Sequence, residues 1–478
     1  LQVFALRRLL VKKINLKLLI CVTTALIGAF NTGCSATANY IANEQQNIDQ
    51  PEGIEVRFNQ LSQAEYKSPI NGRNRPGDNL EQFILEAING AKGEVLIAVQ
   101  ELSLPRIAKA LAAKHRAGIR VRVVVENQYR KPWSQLHAAG LPAHQQQRLG
   151  QLAALADANN DGRLNAEETL NGDAMALLET AGVPLKDDTA DNSKGSGLMH
   201  HKFLVIDQKH VIFGSANFSN SDIHGDAGAG HTKGNTNHLI KVNDQALAKI
   251  FRGEFEKLWN NQFGINKESG STQEAMVGTA KLQVLFAPHK RSNPSNGLAI
   301  IANTLKQAKE KIDLALFVFS AQELTGALEE RVRAGIKLRV LVDPGFASRS
   351  YSELLDIMGV SLPDKRCKLE AKNKPWQKPL MAVGIPKLAN GDKLHHKLAV
   401  IDGKTVISGS FNWSPSAAHG NDETLVIIHS AQLARHFTRE IDRLWGGANL
   451  GISPGLEKKL HKAERFCGKV MTNREVSP

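Results

Sequence analysis

One segment of this chain occurs twice, and that repeat limits the fold more than any other feature. AGIRVRVVVE at 117–126 returns as AGIKLRVLVD at 334–343. A β-type run precedes each copy, at 95–99 and 312–319, and a helix-forming stretch lies between, at 105–117 and 321–334. Strand, helix and strand with unbroken apolar strands describe a βαβ unit in a parallel or mixed sheet buried on both faces. Each half also closes on a helix with matched aromatics, Phe251 and Trp259 in the first, Phe437 and Trp445 in the second. A stretch rich in Ser, Gly, Thr and Lys, 266–281, reads as the linker between a first lobe at 39–265 and a second at 282–478. The expected class is α/β, with two similar lobes, each a mixed β-sheet flanked by helices. Two copies of a unit of roughly 200 residues exclude a short-period solenoid.

The chemistry sits at the same place in both halves. The first half carries His200, Lys202, Asp207, Gly214, Ser215 and Asn217; the second carries His395, Lys397, Asp402, Gly409, Ser410 and Asn412. Both follow H-x-K-x4-D-x6-G-S-x-N. The residues after each lysine alternate as a strand does, so His200 and Lys202 point to one face and His201 to the other. The same holds for His395, Lys397 and His396. Two imidazoles, two ammonium groups and two amides suit a phosphodiester. Lysines and asparagines hold the non-bridging oxygens and the charge that develops on them. One imidazole attacks phosphorus and the other protonates the leaving oxygen. Histidine serves both roles because its unperturbed pKa is about 6.5. Metal ligation by the His-His pairs is disfavoured, because adjacent strand residues face opposite ways.

These residues resemble the phospholipase D superfamily, whose HKD motif they match at every named position in both copies. The likeness includes GSANFS at 214–219 and GSFNWS at 409–414 and extends over nearly the whole chain beyond residue 38. It implies two phospholipase D-like lobes related by a pseudo-twofold axis, with one active site between them. It implies a covalent phosphohistidine, no catalytic metal, and a mainly structural role for Asp207 and Asp402. Both motifs lie in one chain, which implies a monomer. Family precedent also gives a further acid that orients a catalytic histidine. Glu423 fits that role, whereas its first-half counterpart is Asn237, with Asp222 or Asp226 as substitutes. By analogy with the amino-terminal copy, His200 is the nucleophile.

The first half is longer. From Glu126 to His200 it exceeds the matching stretch from Asp343 to His395 by 22 positions. The excess contains a segment at 157–168 that resembles an EF-hand calcium loop. Asp157, Asn159 and Asp161 supply the first side-chain ligands, Gly162 the turn, Arg163 its carbonyl, Asn165 a direct or water-borne contact, and Glu168 the bidentate closure. The expectation is a structural or regulatory calcium site. A second insertion, between Asn217 and Asn235, is rich in glycine and reads as a mobile loop beside the active site.

Residues 1–38 hold Arg7, Arg8, Lys12, Lys13 and Lys17, no acid, and an apolar run too short to span a bilayer. They read as a signal peptide or anchor, cleaved after Ala38 or lipidated at Cys34, so the protein is expected to be exported: secreted, periplasmic or membrane-anchored. Without that segment's five cations the net charge falls from +13 to +8. The remaining excess suits an anionic membrane surface or nucleic acid. Aromatics are only 5% of the chain, which argues against an array of stacking platforms for single strands. Cys367 and Cys467 are free to pair in an oxidising compartment. The expected activity is hydrolysis of phospholipid head groups. An exported endonuclease and a calcium-dependent binding module without turnover are the alternatives. A head-group transferase such as cardiolipin synthase is disfavoured by the small amino-terminal apolar segment.

Overall fold

The computed structural model describes residues 48–226 and 231–468. Residues 1–47, with the segment expected to be a signal peptide or anchor and its Cys21 and Cys34, and residues 227–230 of the glycine-rich insertion lie outside them, as do 469–478. No helix among the described residues is long and apolar enough to cross a membrane.

Two large mixed sheets form. The first contains β1 (Ile54–Phe58), β4 (Glu94–Val99), β5 (Arg120–Val125), β6 (Leu185–Asp187), β7 (Lys202–Ile206), β8 (His210–Gly214) and β9 (His238–Asn243), in the order β1-β9-β8-β7-β4-β5-β6. A small hairpin of β2 (Glu65–Lys67) and β3 (Asn74–Pro76) stands apart. The second sheet contains β10 (Gln273–Val277), β11 (Ala280–Ala287), β12 (Lys311–Leu316), β13 (Lys337–Val342), β14 (Val383–Ile385), β15 (Lys397–Ile401), β16 (Thr405–Gly409), β17 (Glu423–His429) and β18 (Asn449–Leu450). Its order is β10-β11-β17-β16-β15-β12-β13-β14-β18, so the seven strands of the first sheet recur inside it in the same order.

The repeated segments are the parallel pairs β4·β5 and β12·β13, linked by the helices Pro105–Arg116 and Gln322–Arg333. Every side chain of β4 is buried, as a strand covered on both faces requires. The helices Gln245–Trp259 and Ala431–Trp445 close the lobes and share one core between the sheets. Phe251 meets Phe286 across the lobes at 5.3 Å, and Phe58 meets Phe437 at 5.2 Å.

The linker expectation is corrected. Much of 266–281 is strand: β10 turns into β11 at the edge of the second sheet. Ala275 and Val277 alternate inward, a pattern masked by the polar composition around them. Cys367 and Cys467 form a disulfide, with Cα atoms 5.3 Å apart.

Candidate active site

The two motif strands begin where the parallel strands end. Lys202 pairs with Val99, the last residue of β4, and Lys397 with Leu316, the last of β12. The histidines stand just beyond. Each is fixed by the other lobe: His200 N–H donates to the Asp422 carbonyl at 2.9 Å, and His395 N–H to the Thr236 carbonyl at 3.1 Å. Met199–Asp422 and Thr236–Leu394 are reciprocal parallel bridges. Two acids at the ends of the repeated segments hold these approaches. Glu126 accepts Met199 N–H at 2.6 Å and Asp343 accepts Leu394 N–H at 2.9 Å. Burial first, then nearby carboxylates, lift the Glu126 pKa to about 7. Sequence reasoning passed over this pair although it closes the quoted repeat.

The orienting groups also cross between lobes. His200 Nδ1 lies 2.7 Å from Glu423 Oε2, and His395 Nδ1 lies 3.0 Å from Asn237 Oδ1. Ser410 Oγ donates to Glu423 at 2.7 Å and Ser215 Oγ to Asn237 at 2.8 Å, so both motif serines support the orienters. The offered substitutes do not fill the role. Asp222 Oδ2 is 3.6 Å from His395 and is engaged by Asn217 N–H at 2.7 Å. Asp226 accepts the Ser221 hydroxyl instead. The glycines of G-S are steric necessities, since a Cβ at Gly214 would stand 2.2 Å from the His238 carbonyl oxygen, and one at Gly409 2.2 Å from that of Thr424.

Lys202 Nζ donates to the His200 carbonyl at 2.9 Å and to Gln100 Oε1 at 3.3 Å; Lys397 Nζ donates to the His395 carbonyl at 2.7 Å. The amide oxygens of Asn217 and Asn412 are buried without a partner. Four buried basic groups, His200, Lys202, His395 and Lys397, thus share one space. Burial, opposed by Glu423 and aided by the two lysines, lowers the His200 pKa to about 4. Burial lowers that of Lys202 to about 8. Lys397 and His395 are driven well below their ordinary values by burial and then by neighbouring cations, Lys202 on Lys397, and Lys397 and Lys202 on His395. An anion placed among these groups would supply countercharge and favour the protonated lysines and histidines.

Asp207 and Asp402, counted among the catalytic candidates, do not reach this space. They follow the far ends of β7 and β15, about 17 Å along the strand from each lysine. Both have φ 52° and fold back onto three backbone N–H groups, those of 92–94 and 309–311 respectively. They clamp strand starts. His201 and His396 face the opposite side, against Glu254 and Glu440, each at 3.0 Å. His201, Glu254 and Asp422 cluster closely, but the Lys267 ammonium bridges the two carboxylates, 2.7 Å from Asp422. Burial would lower the Lys267 pKa, yet these acids hold it above its ordinary value.

The calcium-loop candidates lie apart from this centre, between the helices Ala143–Ala156 and Ala166–Gly172. Asp157 accepts N–H from Asp161 (3.2 Å) and Gly162 (2.9 Å), and Asn159 Oδ1 accepts from Asp161 (2.9 Å). Gly162 is left-handed at φ 78°. Arg163 N–H donates to Asp161, and Asn165 and Glu168 form a capping box. Glu168 also receives Asn159 N–H at 3.3 Å. The loop's side-chain oxygens are oxygen donors of the kind a hard cation takes, and here they accept the loop's own backbone N–H groups. In the second insertion, Lys233 and Gly234 donate N–H to Asp392 and Thr232 accepts from Arg75, so its described end is pinned rather than loose.

The family model described as cardiolipin synthase, PLD-like domain, matches residues 84–259 and 301–445. The mitochondrial cardiolipin hydrolases of mouse and human are each 28% identical over 160 residues, 33% of this chain and 60% and 53% of theirs. The chain therefore spans less than two thirds of those relatives. A phospholipase D of Rickettsia bellii is 28% identical over 160 residues, 34% of this chain and 67% of that one. The solved phosphatidylserine synthase of Haemophilus influenzae shares the fold across 90% of this chain and 98% of its own, at 11% identity and a TM-score of 0.50.

Proposed function

The chain belongs to the phospholipase D-like family, and from that premise we propose that it releases head groups from phospholipids through a phosphohistidine on His200. One observation carries the assignment of roles. Of the two motif histidines, His200 hydrogen-bonds a carboxylate at 2.7 Å, while His395 hydrogen-bonds a neutral amide at 3.0 Å, with the Asp222 carboxylate farther off at 3.6 Å. Glu423 fixes the His200 tautomer with its proton on Nδ1, leaves Nε2 free to attack, and stabilises the positive ring once phosphorus is bound. Asn237 orients His395 without raising its basicity, which suits a proton donor.

In the first step His200 Nε2 bonds to phosphorus, the bond to the head-group oxygen breaks, and His395 gives that oxygen its proton. In the second step water attacks phosphorus, His395 takes a proton back, and the P–N bond breaks. Phosphatidate leaves and both histidines are restored. Lys202, Lys397, Asn217 and Asn412 hold the non-bridging oxygens. An alcohol in place of water gives transfer, the reaction named in the family model's description.

Lipid is favoured by the names of the curated relatives and by the cationic excess. Calcium at 157–168 has a structural or regulatory role and takes no part in the steps above. The site is complete within one chain, so a monomer suffices. The disulfide agrees with export into an oxidising compartment.

The deciding experiment offers cardiolipin, phosphatidylglycerol and phosphatidylcholine vesicles alongside plasmid and single-stranded DNA, with His395→Ala as blank. Head-group release with intact DNA is expected. Nicked DNA with intact lipid overturns the lipid reading in favour of an exported nuclease. Added glycerol separates hydrolysis from transfer by the lipid product formed.

A further inference from the structure

The last described helix, Pro454–Cys467, seats Leu456 and Leu460 in the second lobe's core. Its opposite face carries Lys458, His461, Lys462 and Arg465 at i, i+3, i+4 and i+7, all exposed. Phe466 stands beside them, 82% exposed, and these five residues line a shallow hollow of about 620 Å³. The disulfide ties the helix end to the loop at Cys367, where Lys368 and Leu369 are also exposed.

We propose that this face docks on an anionic phospholipid bilayer. Two independent features converge on it. The helical stripe is basic across its outer side, with its acids Glu457 and Glu464 together on one edge, Glu464 3.9 Å from His461, and attracts lipid phosphates within a Debye length of the surface. Phe466 and Leu369, 82% and 45% exposed, provide apolar groups that enter the boundary between head groups and acyl chains. The fold holds the helix through other groups: Leu456, Leu460 and Ala463 pack on the core, Lys459 bonds Ser348 and Cys467 pairs with Cys367.

The placement suits the chemistry. Lys459 on the same helix donates to the Ser348 carbonyl (3.2 Å) and hydroxyl (2.6 Å). Ser348 lies in the segment that leaves β13 at Asp343, the residue that holds Leu394 N–H beside His395. The helix is therefore fastened to the end of the sheet where the motif histidines stand. The choice of a bilayer over a nucleic acid rests on the lipid reading above as well as on the exposed apolar groups, because the basic stripe alone suits either polyanion.

The test is co-sedimentation of the full chain with vesicles of phosphatidylcholine containing phosphatidylglycerol, and with pure phosphatidylcholine. Binding to the first alone is expected, and it weakens as salt rises. The triple variant Lys458→Glu, Lys462→Glu, Arg465→Glu weakens binding roughly a hundredfold. Phe466→Ser weakens it roughly tenfold. Both variants keep the wild-type melting temperature and the wild-type rate on bis(p-nitrophenyl) phosphate, a soluble diester that needs no bilayer. Wild-type vesicle binding by the triple variant overturns the proposal. So does a wild-type chain that ignores the vesicles and binds duplex DNA through the same residues. The soluble diester judges catalysis separately, so a failed surface and a failed active site give different results.

Discussion

His200 and His395 occupy the same position in two copies of one fold, yet their side-chain surroundings differ both behind and in front. Behind His200 stand Glu423 and then Thr424, whose hydroxyl meets His201 at 2.8 Å. Behind His395 stand Asn237 and then His238, whose Nδ1 meets His396 Nδ1 at 2.9 Å. In front, the first lobe offers Gln100 and Glu101, the latter held by Ser103 (3.0 Å) and Arg148 (2.9 Å). The second offers Phe317, whose ring centre is 4.7 Å from that of His395 and 5.0 Å from Lys397 Nζ. The backbone symmetry brings the groups together, and the departures from symmetry distribute the work. A duplicated scaffold needs only a few changed side chains to turn two equal imidazoles into a nucleophile and an acid.

The comparison breaks first at the histidines themselves. Alanine at His200 should cost at least about a thousandfold in kcat/KM on every diester. Alanine at His395 should cost as much on a head group with an alkyl leaving oxygen. On a p-nitrophenyl ester, which leaves without a proton, it should cost only about tenfold. Equal losses on both substrates for both variants would erase the assignment of roles.

A smaller effect is expected from the orienters. Glu423→Gln should lower kcat about a hundredfold, because the phosphohistidine ring loses its countercharge. Asn237→Asp should cost about tenfold and shift the pH profile upward, since a carboxylate makes His395 a weaker acid. Profiles of kcat against pH for the two variants distinguish this from a packing defect, which would lower the rate at all pH values alike.

Stability gives the next test. Burial first, with neighbouring cations or opposed by acids, holds His200, His238, His395 and His396 below the ordinary imidazole value. The unfolded chain protonates these groups below pH about 6.5, and the folded chain does not. Folding stability is therefore intact above that pH and declines as pH falls below it, by up to about 1.4 kcal/mol per group and pH unit. A melting temperature that stays level from pH 7 to pH 5 would contradict the neutral burial. His238→Thr, which copies the second lobe's Thr424, should flatten the decline by one group's share.

The smallest effect belongs to the loop that only the first lobe carries. Millimolar calcium should raise the melting temperature by about 2 °C if it stands tenfold above the dissociation constant. Asp157→Ala should remove the shift, and a chelator should leave the rate on a soluble diester unchanged. No shift in the wild-type chain would leave the loop a polar turn.

Much of this was legible in the residues. Unbroken apolar runs around a helix gave the βαβ units, and period two placed His200 with Lys202 and turned His201 away. Partners across the lobes were not legible. Nothing near Glu423 in sequence says that it faces His200, because periodicity reports which face a side chain takes and not what lies opposite. The same blindness led to Asp222 and Asp226 as substitutes, when Asn237 itself does the orienting. The hairpin β10–β11 was hidden because Ser, Gly and Thr around it outweighed two inward residues. Pairing of cysteines 100 residues apart needed geometry that spacing does not contain.

The crossed bridges at Met199–Asp422 and Thr236–Leu394 have a consequence for inheritance. Each histidine is registered, and then tuned, by the opposite half of the gene. A lesion at Glu423 is in effect a lesion of the first lobe, and suppressors of it should map near His200 rather than nearby in sequence. Neither half holds both a motif histidine and the group that orients it.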